Sequence, residues 1–156
     1  MRNILIFAVL FFLIDQITKW IMLYPLDLQL VRQIDVLPPL LVFKMAWNDG
    51  INFGLLGGFS EYSRWILVIV ACAVAIWIAI WAKRYSGIFP ALLAGMVIGG
   101  ALGNAIDRVI YGAVVDFLNM SCCGIDNPYV FNLADVFVFA GIFGILIFSN
   151  RFKLKP

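Results

Sequence analysis

Two aspartates, Asp116 and Asp135, stand beside long apolar segments in a chain of 156 residues that contains no histidine. Without histidine, Ser-His-Asp and Cys-His machinery and most zinc sites are excluded, so any hydrolysis has to run on carboxylates and water. Asp116 lies in Gly112-Ala113-Val114-Val115-Asp116-Phe117-Leu118 and Asp135 in Phe131-Asn132-Leu133-Ala134-Asp135-Val136, neither with a local cation. If the two meet, like charge and partial desolvation make the pair hold a single proton near neutral pH. One carboxylate then takes a proton from water while the other polarises an amide carbonyl and protonates the leaving amine, the logic of aspartic proteases. No metal, no cofactor and no covalent acyl intermediate is expected.

The other acids have simpler readings. Asp15 and Lys19 are one helical turn apart and can pair. Asp107 can share the cation of the adjacent Arg108. Asp126, before Asn127-Pro128, is a turn residue; Asp27, Asp35 and Asp49 belong to an outer loop, and Glu61 to the start of a helix. Asp135 also has a structural reading, as N3 of a helix capped by Asn132, where the helix dipole favours the ionised form and so the role of base.

These carboxylates must be positioned by membrane elements. The chain is 64% hydrophobic and 13% charged, far from the balance of a soluble domain. Four stretches, roughly Ile4–Leu23, Ser63–Ala82, Ile88–Ile106 and Val130–Ser149, are long enough for a hydrocarbon core that takes about 20 helical residues. The first has no small-residue cleavage site after it and reads as a retained helix rather than a signal peptide. The expectation is an all-α membrane protein of one domain over residues 1–156, with four transmembrane helices and a small outer β element in residues 24–62. Arg2, Lys83, Arg84, Arg151, Lys153 and Lys155 fall in short segments on one side, which makes both termini cytoplasmic. Lys19, Arg32, Lys44, Arg64 and Arg108 are spread over longer segments on the other side. All nine acidic residues fall on that outer half, and no helix crosses between Asp116 and Asp135, so the two emerge at the same face.

In the outer loop, Leu26-Asp27-Leu28-Gln29-Leu30 alternates with a strand period, and a second apolar run, Leu40 to Met45, ends at the turn signal Trp47-Asn48-Asp49-Gly50. Gly54, Gly57 and Gly58 lead on to the second helix. On the third helix Ala91, Gly95, Gly99 and Gly103 recur at steps of four, a small-residue stripe for close helix approach. Gly100, Asn104 and Arg108 form the neighbouring stripe, and packing alone does not explain its Asn and Arg. Cys72 reads as packing, and Cys122-Cys123 are adjacent, a spacing poorly suited to closing a ring or building a metal site.

These segments, in this order, resemble the lipoprotein signal peptidase family (signal peptidase II). The matching stretches are Asp15-Gln16-Ile17-Thr18-Lys19, Asn48-Asp49-Gly50-Ile51-Asn52-Phe53-Gly54, Gly99-Gly100-Ala101-Leu102-Gly103-Asn104-Ala105-Ile106-Asp107-Arg108, Gly112-Ala113-Val114-Val115-Asp116-Phe117 and Phe131-Asn132-Leu133-Ala134-Asp135. The resemblance implies that Asp116 and Asp135 are a catalytic dyad at the outer, periplasmic face of a bacterial cytoplasmic membrane. It implies that Asn48, Gly54, Asn104, Arg108, Asn132 and Ala134 line or order the substrate site and that Asp15 and Lys19 support it. The implied substrate is a prolipoprotein whose cysteine bears diacylglycerol, cut on the amino side of that cysteine and embraced by an outer β cradle and a short interfacial helix. Partners are then substrate and membrane lipid, with no nucleic acid, and the chain acts as a monomer. Arg108 and Asn104 are candidates to hold backbone carbonyls or ester oxygens. Where the family has small residues after Asn-x-Gly, this chain has Ile51-Asn52, and no contact is carried over to Asn52. Two other readings are a proton-coupled carrier, which should place its ionisable groups near the midplane, and a presenilin-like intramembrane protease, whose motifs are absent.

Overall fold

Helix α1 (Arg2–Leu23) turns apolar residues outward at Leu5, Ile6, Val9, Leu10 and Leu13 and, beyond its first turn, keeps its charged residues Asp15 and Lys19 buried. That is the inverse of a soluble helix and the arrangement hydrocarbon demands. The protein's structure, a computed structural model, describes residues 1–50 and 60–154; Gly54, Ile51, Asn52, Gly57 and Gly58 lie outside the described residues. After α1 come a four-residue helix α2 (Leu28–Val31), strands β1 (Gln33–Leu37) and β2 (Leu41–Asn48), and helix α3 (Ser60–Ala82). A short strand β3 (Tyr85–Ser86) precedes helix α4 (Ile88–Tyr111), followed by strand β4 (Val114–Asn119), helix α5 (Leu133–Phe148), a 3-10 turn and strand β5 (Lys153–Leu154). Four of the helices, α1, α3, α4 and α5, are long and apolar enough to cross a membrane.

α4 is the central helix. Of its most apolar window 67% is buried inside the protein, against 22% for α1, 17% for α3 and 11% for α5, so the other three pack around it and face lipid. The stripe at steps of four explains how. Gly99 lies against the α1 backbone at Ala8 and Phe12, and Gly100 against the α5 backbone at Ala134; a Cβ at either would force the helices apart. The apolar core follows the same contacts, with Ile4, Ala8, Ala75, Ile78, Ala94 and Val97 buried together.

The helices differ from their expected bounds at the polar end. α4 runs on past Ile106 to Tyr111, because Asp107 and Arg108 turn toward protein rather than ending the helix. Gly112, with φ +84°, then closes α4 in the left-handed conformation and gives its N–H to the Arg108 carbonyl, the local geometry that lets the chain leave as a strand. α5 begins at Leu133, later than expected, because Phe131 is still paired with Leu118.

A three-stranded antiparallel sheet, order β1-β2-β4, covers this end of the bundle. Its second strand is the expected Leu40–Met45 run. The alternating stretch Leu26–Leu30, expected as a strand, is instead largely the turn of α2: Leu30 and Val31 donate to the Asp27 carbonyl, so the segment satisfies its backbone internally and needs no partner strand. Leu28 alone is buried there, against Met22, Leu23, Met45, Val115 and Phe117. β4 was not expected. Its residues Val114 to Phe117 are all buried, so it has the unbroken apolar run of a strand covered on both faces rather than an alternation. Beyond it Cys122 and Cys123, expected not to close a ring, are joined to each other by a disulfide in a tight turn where Cys122 and Ile125 exchange backbone hydrogen bonds.

Candidate active site

Asp116 is the third residue of β4, opposite Ala46 of β2. In this register Asn48, opposite Val114, lies diagonal to Asp116 on the same face, and its amide donates to one Asp116 oxygen at 2.9 Å. The other oxygen accepts from the amide of Asn132. Asn132 is the N-cap of α5: its side-chain oxygen accepts from the Asp135 N–H at 3.0 Å, and the Asp135 carboxylate accepts from the Asn132 N–H at 3.2 Å. This is a complete capping box. One asparagine therefore caps the helix with its oxygen and reaches Asp116 with its nitrogen. The capping and the dyad readings of Asp135 describe one arrangement, and the field of Asp135 is felt at Asp116.

Asn104 of α4 completes the frame. Its amide donates to Asp135 at 2.8 Å, and its oxygen accepts from Asn132 at 3.1 Å and from Lys19 at 3.0 Å. Its oxygen is taken twice and its nitrogen once, which leaves one N–H of the amide for a substrate oxygen, the role expected of it. Arg108, for which the same role was expected, also has a donor to spare. It donates one N–H to the Asn104 carbonyl at 3.1 Å, while its buried Nε has no partner among the described residues.

Behind this frame lies a buried ionic cluster. Lys19 bridges Asp15 at 2.8 Å and Asp107 at 2.7 Å, with its side chain 3% exposed. Asp15 also accepts from the Ala134 N–H at 2.9 Å, so the first turn of α5 hangs on α1. Asp107 accepts from Gln16 at 3.0 Å and from the Val115 N–H at 3.2 Å, which ties α1 to the strand one residue before Asp116. Asp107 was expected to pair with Arg108; consecutive helical residues point about 100° apart, and only one of the two can face α1. Asp107 is thus a site residue that the sequence reading did not single out. The signal was present, since the stripe Ala91, Gly95, Gly99, Gly103 lands on it at the next step of four.

Burial raises the carboxyl of Asp116 from its ordinary value to about 6, with the nearby Asp135 pushing the same way and the Asn48 and Asn132 amides pulling it down. Asp135 lines a cavity of about 510 Å³ whose other walls are Phe131, Val136, Phe139 and Ala140, all apolar. A carboxylate at the edge of an apolar recess can act on a polar bond of a molecule whose remainder is greasy.

The sequence profile described as "Signal peptidase (SPase) II" matches residues 7–151. The chain belongs to the signal peptidase II family. Among the relatives, the lipoprotein signal peptidase of Methylobacterium sp. (strain 4-46) is 40% identical over 134 residues, 86% of this chain and 80% of that protein. The lipoprotein signal peptidase of Rickettsia prowazekii (strain Madrid E) is 33% identical over 143 residues, 92% of this chain and 72% of its own length. A bacterial membrane enzyme solved by the in meso method at 2.3 Å resolution superposes with a TM-score of 0.76 at 27% identity, covering 97% of this chain and 89% of the other. Signal peptidase II is an aspartic-type hydrolase of membranes, in keeping with four spanning helices and a frame built around two aspartates.

Proposed function

We propose that the protein removes signal peptides from prolipoproteins, with Asp116 and Asp135 as the catalytic pair. The observation that carries the assignment of residues is the Asn132 side chain, which binds Asp116 while capping the helix that bears Asp135. Both carboxylates are bonded to one residue, Asp116 to the side-chain amide of Asn132 and Asp135 to its backbone N–H, and like charges that act on each other in this way hold one proton between them.

In this reading Asp116 carries the proton, since its affinity is raised by burial, and a covering substrate withdraws more water and raises it further. Asp135, which accepts N–H bonds from Asn104 and Asn132, is the base. A water between them gives a proton to Asp135 as its oxygen bonds to the scissile carbonyl carbon, while Asp116 donates to the carbonyl oxygen. The tetrahedral intermediate collapses as Asp135 gives its proton to the amide nitrogen, the C–N bond breaks and a hydroxyl of the intermediate returns its proton to Asp116, so that the pair again holds a single proton. The free Nε of Arg108 is available for a substrate oxygen. The apolar recess beside Asp135 accepts acyl chains of a diacylglyceryl cysteine, with the cut on its amino side.

The helices would cross the bacterial cytoplasmic membrane with both termini inside, the dyad outside, and a single chain sufficing. The test is turnover of a diacylglyceryl-modified precursor by the purified chain. Asp116→Asn and Asp135→Asn are each expected to lose roughly a hundred- to ten-thousand-fold in kcat. Undiminished cleavage by either variant would remove that residue from the mechanism.

A further inference from the structure

The opposite end of the bundle has a composition that the peptidase reading does not use. Arg2, Lys83, Arg84, Arg151 and Lys153 gather there, all exposed, and none of the nine acidic residues of the sequence lies among them. No ion pair neutralises any of the five among the described residues. The tail is held in place: β5 pairs with β3 in the α3–α4 hinge, the Ser86 hydroxyl donates to the Lys153 carbonyl at 3.1 Å, and Phe152 packs against Trp81, Tyr85 and Phe89. Arg151 and Lys153 are therefore carried on a fixed platform rather than on a loose terminus.

Two cavities open beside these cations. One, of about 410 Å³, is lined by Arg2, Asn3 and Ile4 with Tyr85 and Ala91. The other, of about 500 Å³, is lined by Ser86, Phe89, Phe148, Arg151 and Lys153. Gly87 and Ile88 belong to both, so the two are adjacent. Their volumes fall within the roughly 300–1,000 Å³ of small-ligand sites. Around them Ile88, Phe89 and Leu154 expose apolar surface, at 65%, 43% and 68%.

We propose that this end of the bundle seats an anionic phospholipid, its phosphate taken by Arg2, Arg151 and Lys153 and its acyl chains lying along the exposed apolar surface of α4 and the tail. Exposed cations with no acid beside them among the described residues make a positive field that attracts an anion, and guanidinium and ammonium groups bind phosphate oxygens well. A free phosphate would satisfy the charges but leave the apolar surface beside them without use, which favours the lipid as the source. Basic pockets between membrane helices are known to hold acidic headgroups. The proposal does not depend on the peptidase reading and stands or falls without it.

The test uses the full chain in neutral detergent, titrated with dimyristoyl phosphatidylglycerol, dimyristoyl phosphatidylcholine or inorganic phosphate, with retained molecules counted by native mass spectrometry. The native chain is expected to retain phosphatidylglycerol in preference to phosphatidylcholine. Each of Arg2→Gln, Arg151→Gln and Lys153→Gln should weaken that preference about fivefold, and the triple variant about a hundredfold. The double variant Arg32→Gln with Lys44→Gln, at the other end, should keep it, and correct folding of every variant is read from its unfolding midpoint. An unchanged preference in the triple variant, an equal loss in the control, or displacement of the lipid by inorganic phosphate at similar concentration would each overturn the proposal.

Discussion

Asp116 is stabilised by its surroundings in the protonated form, and its contribution to stability therefore changes with pH. A carboxyl whose affinity is raised from 3.8 to about 6 on folding contributes stability that is complete below pH 3.8 and is lost as the pH climbs through about 6. An amide at this position carries no such penalty. Asp116→Asn is expected to lose the same hundred- to ten-thousand-fold in kcat and, because its NH2 sets a donor against the amide of Asn48 or Asn132, to have a lower Tm than the native chain at pH 4; the deficit should shrink at pH 8, and one independent of pH would contradict the burial argument. Asp107 makes a different case, since its carboxylate holds three partners, the Lys19 ammonium, the Gln16 amide and the Val115 N–H. Asp107→Asn should cost about 3 kcal/mol by leaving the buried cluster short of a charge, and should lower kcat much more than it raises KM, since it moves β4 without touching substrate. Thermal unfolding and steady-state kinetics on the same preparation check both parts. At this scale the two catalytic candidates were legible because elimination left them without partners, whereas Asp107 was assigned to its sequence neighbour. A pairing across 88 residues, with Lys19 on another helix, is written in no local pattern.

At the scale of elements, α5 begins directly after Asn132, the residue that also reaches Asp116. Asn132 has to be both cap and bridge, and the two duties can be separated. Serine is about as good an N-cap as asparagine but has no amide with which to reach Asp116. Asn132→Ser is expected to lower the unfolding midpoint less than Asn132→Ala, which loses the cap as well as the buried bonds to Asn104 and Asp116, and to reduce turnover by at least tenfold, an effect of about 1.4 kcal/mol on the barrier; equal activity would deny the bridge a role. The helices themselves were readable from hydropathy, and the stripes on α4 from their step of four. β4 was not, because the strand is buried on both faces and its run of valines and phenylalanine reads like any apolar segment. Its partner β2 comes from a loop some seventy residues earlier, and only that pairing sets Asn48 beside Asp116. The helical turn at α2 was missed for the converse reason, since an alternation of leucines fits either structure until the backbone partners are known.

For the whole molecule, the distribution of charge is the simplest organising fact. Five described cations stand at one end, and the acids, with the frame around Asp116 and Asp135, at the other. The density of basic residues in short segments is the basis of the proposed orientation, with both termini in the cytoplasm. Fluorescent protein fused to either terminus is expected to mature there, and alkaline phosphatase fused at the same points to stay inactive; the reverse pattern would turn the molecule over. The cluster at Lys19 has a further consequence for biogenesis. α1 leaves the ribosome long before α4, and during that interval it must enter lipid carrying two ionisable side chains, each costing roughly 2.5–3.5 kcal/mol near the bilayer centre. Because Asp15 and Lys19 are one turn apart on the same helix, each enters beside its counter-charge, as a pair without net charge. Asp107 arrives later, on a helix whose glycines let it come close enough to find an ammonium group already waiting.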